Sequence, residues 1–353
     1  MKYPAFLKER DTIGFVAPSF GCATEPYRTS FLNAIKKWEQ MGYGIDLGPN
    51  CFAGEGIGIS NTPEKCGREL TEYYTSRNNQ ILISCGGGEL MCETMCHVDF
   101  QAISKAQPKW YMGYSDNTNL IFLLTTLCDT AALYGPCATT FGMEPWHVSL
   151  QETMELLEGR RKTVSNYDKW EKDKLRDEDH PLEPYHCTED TRVKAYVPAS
   201  TDGGKRQMKE VDSVVMEGRL IGGCMDCLVN LLGTRFDGVK AFTEKYREDG
   251  FVWFLEACDL NVFGIRRAMW QMEEAGWFQY VKGFIIGRPL CYGQEMMGLD
   301  QYEAILPTAL KHGIPVIMDV DIGHLPPMMP LVSGSMARAT AKEGNMEIRM
   351  EFK

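Results

Sequence analysis

Short apolar segments, each followed by a turn rich in Gly or Ser, constrain the fold more than any other feature of this sequence. Three of them, Thr12–Val16, Ile81–Ser84 and 110–112, are separated by segments with apolar residues at helical spacing. This alternation is typical of a layered α/β domain with a mostly parallel sheet. Because the carboxyl ends of parallel strands meet at one edge of a sheet, we expect the chemistry in the turns that follow these strands.

A second series of apolar segments begins after a long polar stretch. From 168 to 180 ten of thirteen residues are charged, and apolar residues stay sparse to about 210, so we expect a linker with an exposed loop. Further strands are predicted at 250–255, 281–286 and 315–318, with helical patterns between them. The sequence therefore predicts an N-terminal α/β domain at 1–158, a charged linker or insert at 159–212 and a C-terminal α/β domain at 213–353.

Length and charge narrow the class of partner. A chain of 353 residues is longer than single cores usually are, which also favours two domains. The net charge of -11 excludes the basic surface of a nucleic-acid binder. Residues 1–11 lack the apolar run of a signal peptide, and no segment approaches the roughly 18 apolar residues of a membrane span. We expect a cytoplasmic protein that acts on a small molecule or peptide, with no nucleic-acid or membrane partner.

The thirteen cysteines are an odd number in a long chain with ample core, so a disulfide framework is not expected. Cys224 and Cys227, and Cys92 and Cys96 with His97 beside them, could be fragments of a metal site. Neither has a second pair at zinc-finger spacing. We interpret these thiols as small, buried, reduced side chains and expect neither a metal nor a cofactor.

Ser115 is the first candidate for chemistry. It stands between an apolar strand and the start of a helix at about 117–127, where a sharp turn lifts a hydroxyl out of the sheet as in a nucleophile elbow. The Gly-x-Ser-x-Gly form is incomplete because Asn117 replaces the second Gly. Taken alone, the position of Ser115 favours a role as the N-cap of the helix.

A serine nucleophile needs a base, and the base needs an acid to orient it. The chain has six histidines, at positions 97, 147, 180, 186, 312 and 324. His324 is set apart by its place just after a predicted strand, behind Gly323. Glu256 ends another predicted strand, and a carboxylate there needs a partner, either a His or Arg266 or Arg267.

The glycine run Gly86–Gly88 follows the second predicted strand. Bare backbone N–H groups there could face a developing oxyanion, as acyl transfer requires. The run could also be a plain tight turn. A phosphate site is disfavoured because the Lys-Ser/Thr of a P-loop is missing.

Together these motifs resemble the LD-carboxypeptidase family, which includes murein tetrapeptide carboxypeptidases and microcin C self-immunity peptidases. The matching segments, in family order, are 11–19, the Gly86-Gly87 turn, 113–116, 218–223, 254–256, 283–288 and 323–324. The resemblance implies an N-terminal amidotransferase-like (flavodoxin-like) α/β domain with a parallel sheet. It also implies a smaller, swivelling-type α/β domain at the C-terminus.

The resemblance also implies roles for particular residues. The family's Ser-Glu-His triad maps onto Ser115, Glu256 and His324, and its oxyanion hole onto the backbone N–H groups of Gly87 and Asp116. Further substrate contacts map onto Gly86 and onto Trp170, an aromatic of the charged insert. Family members often form homodimers, and no cofactor is implied.

The function implied is removal of the terminal D-alanine of a murein tetrapeptide through an acyl-enzyme. A peptidyl-nucleotide, as in microcin self-immunity, is the alternative substrate. Cys85 and Gly88 stand where many members have Arg and Tyr, which puts contacts in that corner in doubt. Two other classes stay open: a thiol-dependent amidotransferase-like hydrolase that uses Cys85, and a non-catalytic binding protein.

Overall fold

The computed structural model describes residues 1–200 and 203–352. The first half of the chain contains β1 (Thr12–Val16), α1 (Tyr27–Gln40), β2 (Gly44–Leu47), α2 (Pro63–Thr75), β3 (Ile81–Ser84), α3 (Met91–Thr94), α4 (Phe100–Lys105), β4 (Trp110–Gly113), α5 (Thr118–Thr126), β5 (Ala132–Tyr134) and α6 (Val148–Leu157). Single 3₁₀ turns lie at Met95–His97, Ser115–Asn117 and Ala138–Gly142.

The remaining elements are mostly strands. They are β6 (Thr163–Ser165), β7 (Lys169–Glu171), β8 (Cys187–Asp190), β9 (Lys194–Ser200), β10 (Arg206–Val211), β11 (Ser213–Cys224), α7 (Met225–Leu231), α8 (Val239–Lys245), β12 (Phe251–Glu256), α9 (Val262–Glu274), β13 (Val281–Gly287), α10 (Gln301–His312), β14 (Val316–Val320), β15 (Leu331–Ser333), β16 (Met336–Lys342) and β17 (Asn345–Glu351).

Contacts divide the chain into two units. Unit 1 consists of Met1–Lys162, Asp173–His186 and Pro330–Gly334. Unit 2 consists of Thr163–Lys172, Cys187–Met329 and Ser335–Lys353. No helix among the described residues is both long and apolar enough to cross a lipid bilayer.

Unit 1 is built on a six-stranded sheet in the order β15-β5-β4-β3-β1-β2. The five strands from β5 to β2 are parallel, and β15 runs antiparallel to β5. β3 and β4 are buried at every position because they lie inside the sheet with apolar side chains on both faces. The helix α5 is also buried at all nine positions, which explains its almost continuous apolar sequence. The predicted parallel α/β sheet is confirmed here.

Unit 2 contains a nine-stranded mixed sheet in the order β10-β9-β14-β13-β12-β11-β16-β17-β6. β11, β12, β13 and β14 are parallel, and helices α7, α8, α9 and α10 lie between or beside them in sequence. β12 is buried at all six positions, including Glu256 at its end. Cys224, at the end of β11, lies beside Glu256 in the register of these two strands. The α/β class predicted for this half is also confirmed.

The segment 159–212 differs from the expected linker. It supplies β6, which pairs with β17, and β9, which pairs with β14 and β10. Some of its few apolar side chains, including Val164 and Trp170, are buried, whereas Leu175 is exposed. Charged residues are compatible with strands at a sheet edge, such as β6 and β10, where one face stays in water. A high density of charged residues therefore does not by itself indicate a linker.

Candidate active site

Ser115 stands on a strained turn between β4 and α5. Its φ angle is 61°, a left-handed conformation that a residue with a Cβ adopts at an energetic cost. Its backbone N–H donates to the Tyr134 hydroxyl at 3.2 Å, which helps to hold the turn. The residue at the cap position of α5 is Asn117, so the alternative in which Ser115 caps that helix is not what the fold shows. The geometry is that of a nucleophile elbow.

The residue after Ser115 anchors this turn through its side chain. The buried Asp116 carboxylate accepts hydrogen bonds from the Ser19 hydroxyl at 2.5 Å, the Met91 N–H at 2.9 Å and Asn119 Nδ2 at 3.0 Å. Burial raises the pKa of Asp116, while these donors oppose the shift. The backbone that carries the candidate oxyanion donor of Asp116 is thereby fixed.

The glycine run Gly86–Gly88 lies against Ser115, the candidate nucleophile. A Cβ added at Gly87 would be 3.4 Å from both the Cβ and the Oγ of Ser115. A Cβ at Gly88 would approach the Ser19 Oγ to 2.0 Å, so only glycine fits there. The Tyr that many relatives have at that position is therefore excluded with this local backbone. The Gly87 carbonyl accepts from the Phe20 N–H at 2.7 Å.

Asn117 is a polar residue of this site whose contacts the sequence did not predict. It is fully buried, and its Nδ2 donates to the Gly86 carbonyl at 2.9 Å. A Cβ at Gly113 would lie 2.7 Å from the Asn117 Cγ, so the glycine leaves room for this amide. The available signal was an amide at the start of an otherwise apolar helix.

Glu256 and His324 form a pair in unit 2. Nδ1 of His324 lies 2.8 Å from Oε2 of Glu256, whose side chain is fully buried at the end of β12. A Cβ at Gly323 would lie 2.5 Å from that oxygen, and Gly323 has a φ of 103°, so glycine is required before His324. In the neutral imidazole this contact favours the proton on Nδ1, donated to the carboxylate, and leaves Nε2 as the proton acceptor.

The charge of this pair affects the imidazole. Burial disfavours the charged form of His324, but the Glu256 carboxylate and hydrogen bonds with Cys258 and Glu256 outweigh it and raise its pKa well above 6.5. Of the two arginines considered as alternative partners of Glu256, Arg266 donates instead to the Glu303 carbonyl at 3.1 Å. A carboxylate-oriented imidazole is a suitable general base.

Two further carboxylates hold the loops that carry this pair. Asp226 accepts from three successive N–H groups just after Glu256, those of Cys258, Asp259 and Leu260, at 3.0, 2.9 and 3.1 Å. The fully buried Asp321, three residues before His324, is paired with the buried Arg288. Arg288 also donates to the Asp319 carbonyl at 2.8 Å.

The thiol alternative is disfavoured by the surroundings of Cys85. Its side chain is fully buried, and burial raises its pKa well above the usual value. A thiol attacks as the thiolate, so these conditions make Cys85 a poor nucleophile. Cys224 and Cys227 are buried as expected, whereas Cys92 is half-buried and Cys96 is exposed. Among the described residues, no group of three or more His, Cys, Asp or Glu side chains could hold a metal ion.

Trp170 lies in β7 and is only 5% exposed. The Arg288 guanidinium lies 4.9 Å from its ring centre, and Tyr292 packs edge-on at 5.3 Å. The candidate residues are thus divided by unit: unit 1 carries Gly86, Gly87, Ser115 and Asp116, and unit 2 carries Trp170, Glu256 and His324.

A parallel α/β unit with a strained serine turn, followed by an α/β unit with a buried Glu-His pair, defines the class as a two-unit α/β protein with hydrolase-type residues. Comparison with protein families specifies it further. The LD-carboxypeptidase N-terminal domain model matches residues 13–135, and the LD-carboxypeptidase C-terminal domain model matches 217–339. The chain belongs to the LD-carboxypeptidase family of peptidases.

Known relatives are distant but cover the chain almost end to end. The microcin C7 self-immunity protein MccF of Escherichia coli is 23% identical, over 97% of this chain and 94% of its own. A Bacillus subtilis protein named "Probable murein peptide carboxypeptidase" is 21% identical, over 96% and 92%. A crystal structure of an MccF-like protein from Bacillus anthracis has a TM-score of 0.79 at 20% identity, covering 99% and 100%. The fold is therefore shared with these proteins.

Proposed function

We propose that this protein is a serine-type carboxypeptidase that removes the terminal D-alanine of a murein tetrapeptide. The observation that carries the proposal is the 2.8 Å hydrogen bond between His324 and the buried Glu256. A serine hydroxyl becomes a nucleophile only when a base takes its proton, and the base is useful only in the correct tautomer. Ser115, on its strained turn against Gly87, is the matching nucleophile.

In the proposed reaction, His324 takes the proton of Ser115, and the serine oxygen attacks the carbonyl carbon of the last amide bond. Glu256 stabilises the imidazolium that forms. The N–H groups of Gly87 and Asp116 donate to the oxyanion of the tetrahedral intermediate. His324 then gives its proton to the leaving D-alanine amine. In the second half of the reaction His324 takes a proton from water, the water oxygen attacks the acyl carbon, and the ester bond to Ser115 breaks as His324 returns the proton to the serine oxygen.

The choice between substrates is supported by the packing of Trp170. A nucleotide substrate would use this indole as a stacking surface, but it is buried and already packed against Arg288 and Tyr292. The murein peptide needs no such surface. The relatives do not decide the matter, since the self-immunity protein and the murein carboxypeptidase are similarly distant. The peptidyl-nucleotide is kept as the alternative substrate.

Mass spectrometry of a murein tetrapeptide incubated with the wild type, Ser115→Ala and His324→Ala tests the proposal. We expect the wild type alone to release one D-alanine, and a matched tetrapeptide ending in L-alanine to stay intact. Cleavage of an aminoacyl-nucleotide instead of the tetrapeptide would favour the alternative substrate. Equal cleavage by the wild type and Ser115→Ala would overturn the assignment of the nucleophile.

A cell-wall recycling role also implies a location. Released murein peptides are processed after uptake, so the proposal places the enzyme in the cytoplasm. Cell fractionation with an antibody against this chain tests it, and recovery outside the cytoplasm would contradict it.

A further inference from the structure

Asn117 links the serine turn to the glycine turn within unit 1. Its Nδ2 donates to the carbonyl of Gly86 at 2.9 Å and to that of Tyr114 at 3.1 Å. Its Oδ1 accepts from the Tyr111 hydroxyl. Because carbonyls only accept, the nitrogen must face Gly86 and Tyr114, which fixes the orientation of the amide. A fully buried side chain thus connects two loops 31 positions apart in sequence.

The carbonyl that Asn117 holds belongs to a critical peptide group. The C=O of Gly86 and the N–H of Gly87 are parts of one planar trans peptide, so they point to opposite sides. Fixing the direction of the Gly86 carbonyl therefore fixes the direction of the Gly87 N–H. The Ser84 hydroxyl is a second donor to this carbonyl, at 3.0 Å. Glycine on both sides makes rotation of this peptide easy without such restraints.

We infer that Asn117 is a positioning residue that orients the Gly87 N–H toward the substrate carbonyl oxygen at Ser115. The inference rests on the proposed function, because it assumes an acyl transfer at Ser115. Direct loss of an oxyanion donor reduces the rate by about 100- to 1,000-fold. Because Ser84 still restrains the same carbonyl, we expect a loss of about 10- to 100-fold when Asn117 is changed.

The test uses the rate at which a fluorophosphonate labels Ser115, together with kcat and KM for the tetrapeptide. Asn117→Ala removes the whole amide, and Asn117→Asp keeps its shape but replaces the donor with an acceptor. Tyr111→Phe keeps the Asn117 amide but removes the hydroxyl that donates to its Oδ1 and that is also hydrogen-bonded with Ser84. Thr125→Val is the matched control, since it deletes a buried hydrogen bond to Ser333 (2.9 Å) on the same unit, far along α5.

Both Asn117 variants should label more slowly and lose kcat with little change in KM, because a misdirected N–H affects the transition state more than substrate binding. Tyr111→Phe should lose less than either Asn117 variant, because the amide itself stays in place, and Thr125→Val should stay within about threefold of the wild type. Melting temperatures of all four variants show whether each is folded. A purely structural role would lower the melting temperature without this separation between Asn117 and Thr125.

Asn117→Asp offers a second, independent readout. A protonated aspartic acid can donate to the Gly86 carbonyl, whereas its carboxylate repels it. The ratio of the Asn117→Asp rate to the wild-type rate should therefore rise as the pH is lowered, while the same ratio for Asn117→Ala should stay constant. Using ratios removes the titration of His324, which both proteins share.

The outcomes separate the two ideas. Unlabelled Ser115 and an intact tetrapeptide in the wild type would contradict the proposed function. Labelling of Ser115 without cleavage would contradict the substrate but leave the test of Asn117 in place. Folded Asn117→Ala and Asn117→Asp that label as fast as Thr125→Val would overturn the inference.

Discussion

Replacement of Gly87 by alanine should separate catalysis from folding. The new methyl carbon would lie 3.4 Å from both the Cβ and the Oγ of Ser115, which is ordinary van der Waals contact. Gly87 is not in the left-handed region, so its backbone conformation is open to alanine. Since alanine restricts the unfolded chain, the free energy of unfolding should be unchanged or higher by up to about 1 kcal/mol.

The same methyl should be costly for the reaction. A reacting carbonyl carbon approaches the Ser115 oxygen to about 3–3.5 Å, and its oxygen must lie about 3 Å from the donors of the oxyanion hole. A methyl group at Gly87, 3.4 Å from the Ser115 Oγ, occupies part of the space that the reacting carbonyl group needs. Gly87 is also the residue that carries one of the two candidate donors. Loss of one donor corresponds to about 100- to 1,000-fold, or about 3–4 kcal/mol of transition-state stabilisation.

Steady-state kinetics and thermal melting of Gly87→Ala are the assay, with Gly86→Ala as comparison. A Cβ at Gly86 would face the Phe20 carbonyl at 3.4 Å instead of Ser115, so this variant should lose less activity. A folded Gly87→Ala with wild-type kcat/KM would refute the placement of this N–H in the oxyanion hole. A larger loss in Gly86→Ala than in Gly87→Ala would refute the geometry of the turn.

Three further changes test other parts of the site. In Glu256→Gln the pKa of His324 should fall, because burial is then no longer outweighed by a carboxylate. The rising limb of the pH-rate profile should lie above pH 6.5 in the wild type and at lower pH in the variant. A limb at the same pH in both proteins would contradict this reasoning. The maximal rate should drop by about 1,000- to 10,000-fold, as when the acid of a triad is neutralised. Asp226→Asn should lower the free energy of unfolding, measured by chemical denaturation, by about 1 kcal/mol and lower kcat several-fold, because three N–H groups after Glu256 lose a carboxylate acceptor. An unchanged kcat would show that this loop does not support Glu256. Cys85→Ser should keep activity within about threefold, and iodoacetamide should leave Cys85 unmodified in the wild type, because this thiol is buried. Inactivation with the adduct on Cys85, located by mass spectrometry, would revive the thiol mechanism, whereas an adduct on the half-buried Cys258, which is hydrogen-bonded with His324, would not.

The strands that carry the site were predictable because their apolar runs are local. β1 and β3 begin and end where the apolar pattern predicts, and β12 ends one residue beyond its predicted run, at Glu256. A buried parallel strand must be apolar throughout, and the polar residue that follows it marks its end. The same rule predicted Ser115 and His324 as residues of turns after strands.

Contacts between distant parts of the chain were not predictable from one sequence. β15 joins the sheet of unit 1 through the pairing of Leu331 with Tyr134, although it lies near the end of the chain. The charged segment forms β6 and β9, whose partners β17 and β14 come more than a hundred residues later. The composition of a segment does not show which strand it pairs with, because strand pairing depends on the arrangement of the whole sheet.

The acids near the strand ends show why sequence position alone does not identify a catalytic carboxylate. Asp116, Asp226, Asp321 and Glu256 all lie at or just after strands, and each is held by hydrogen bonds. Asp116, Asp226 and Asp321 accept from backbone N–H groups, so their charge is used to fix loops. Glu256 is distinguished by a partner that can both accept and donate a proton, the imidazole of His324, whereas the guanidinium of Arg288 beside Asp321 only donates. The chemistry of the partner, which only the fold provides, therefore decides between an acid that positions a loop and one that orients a base.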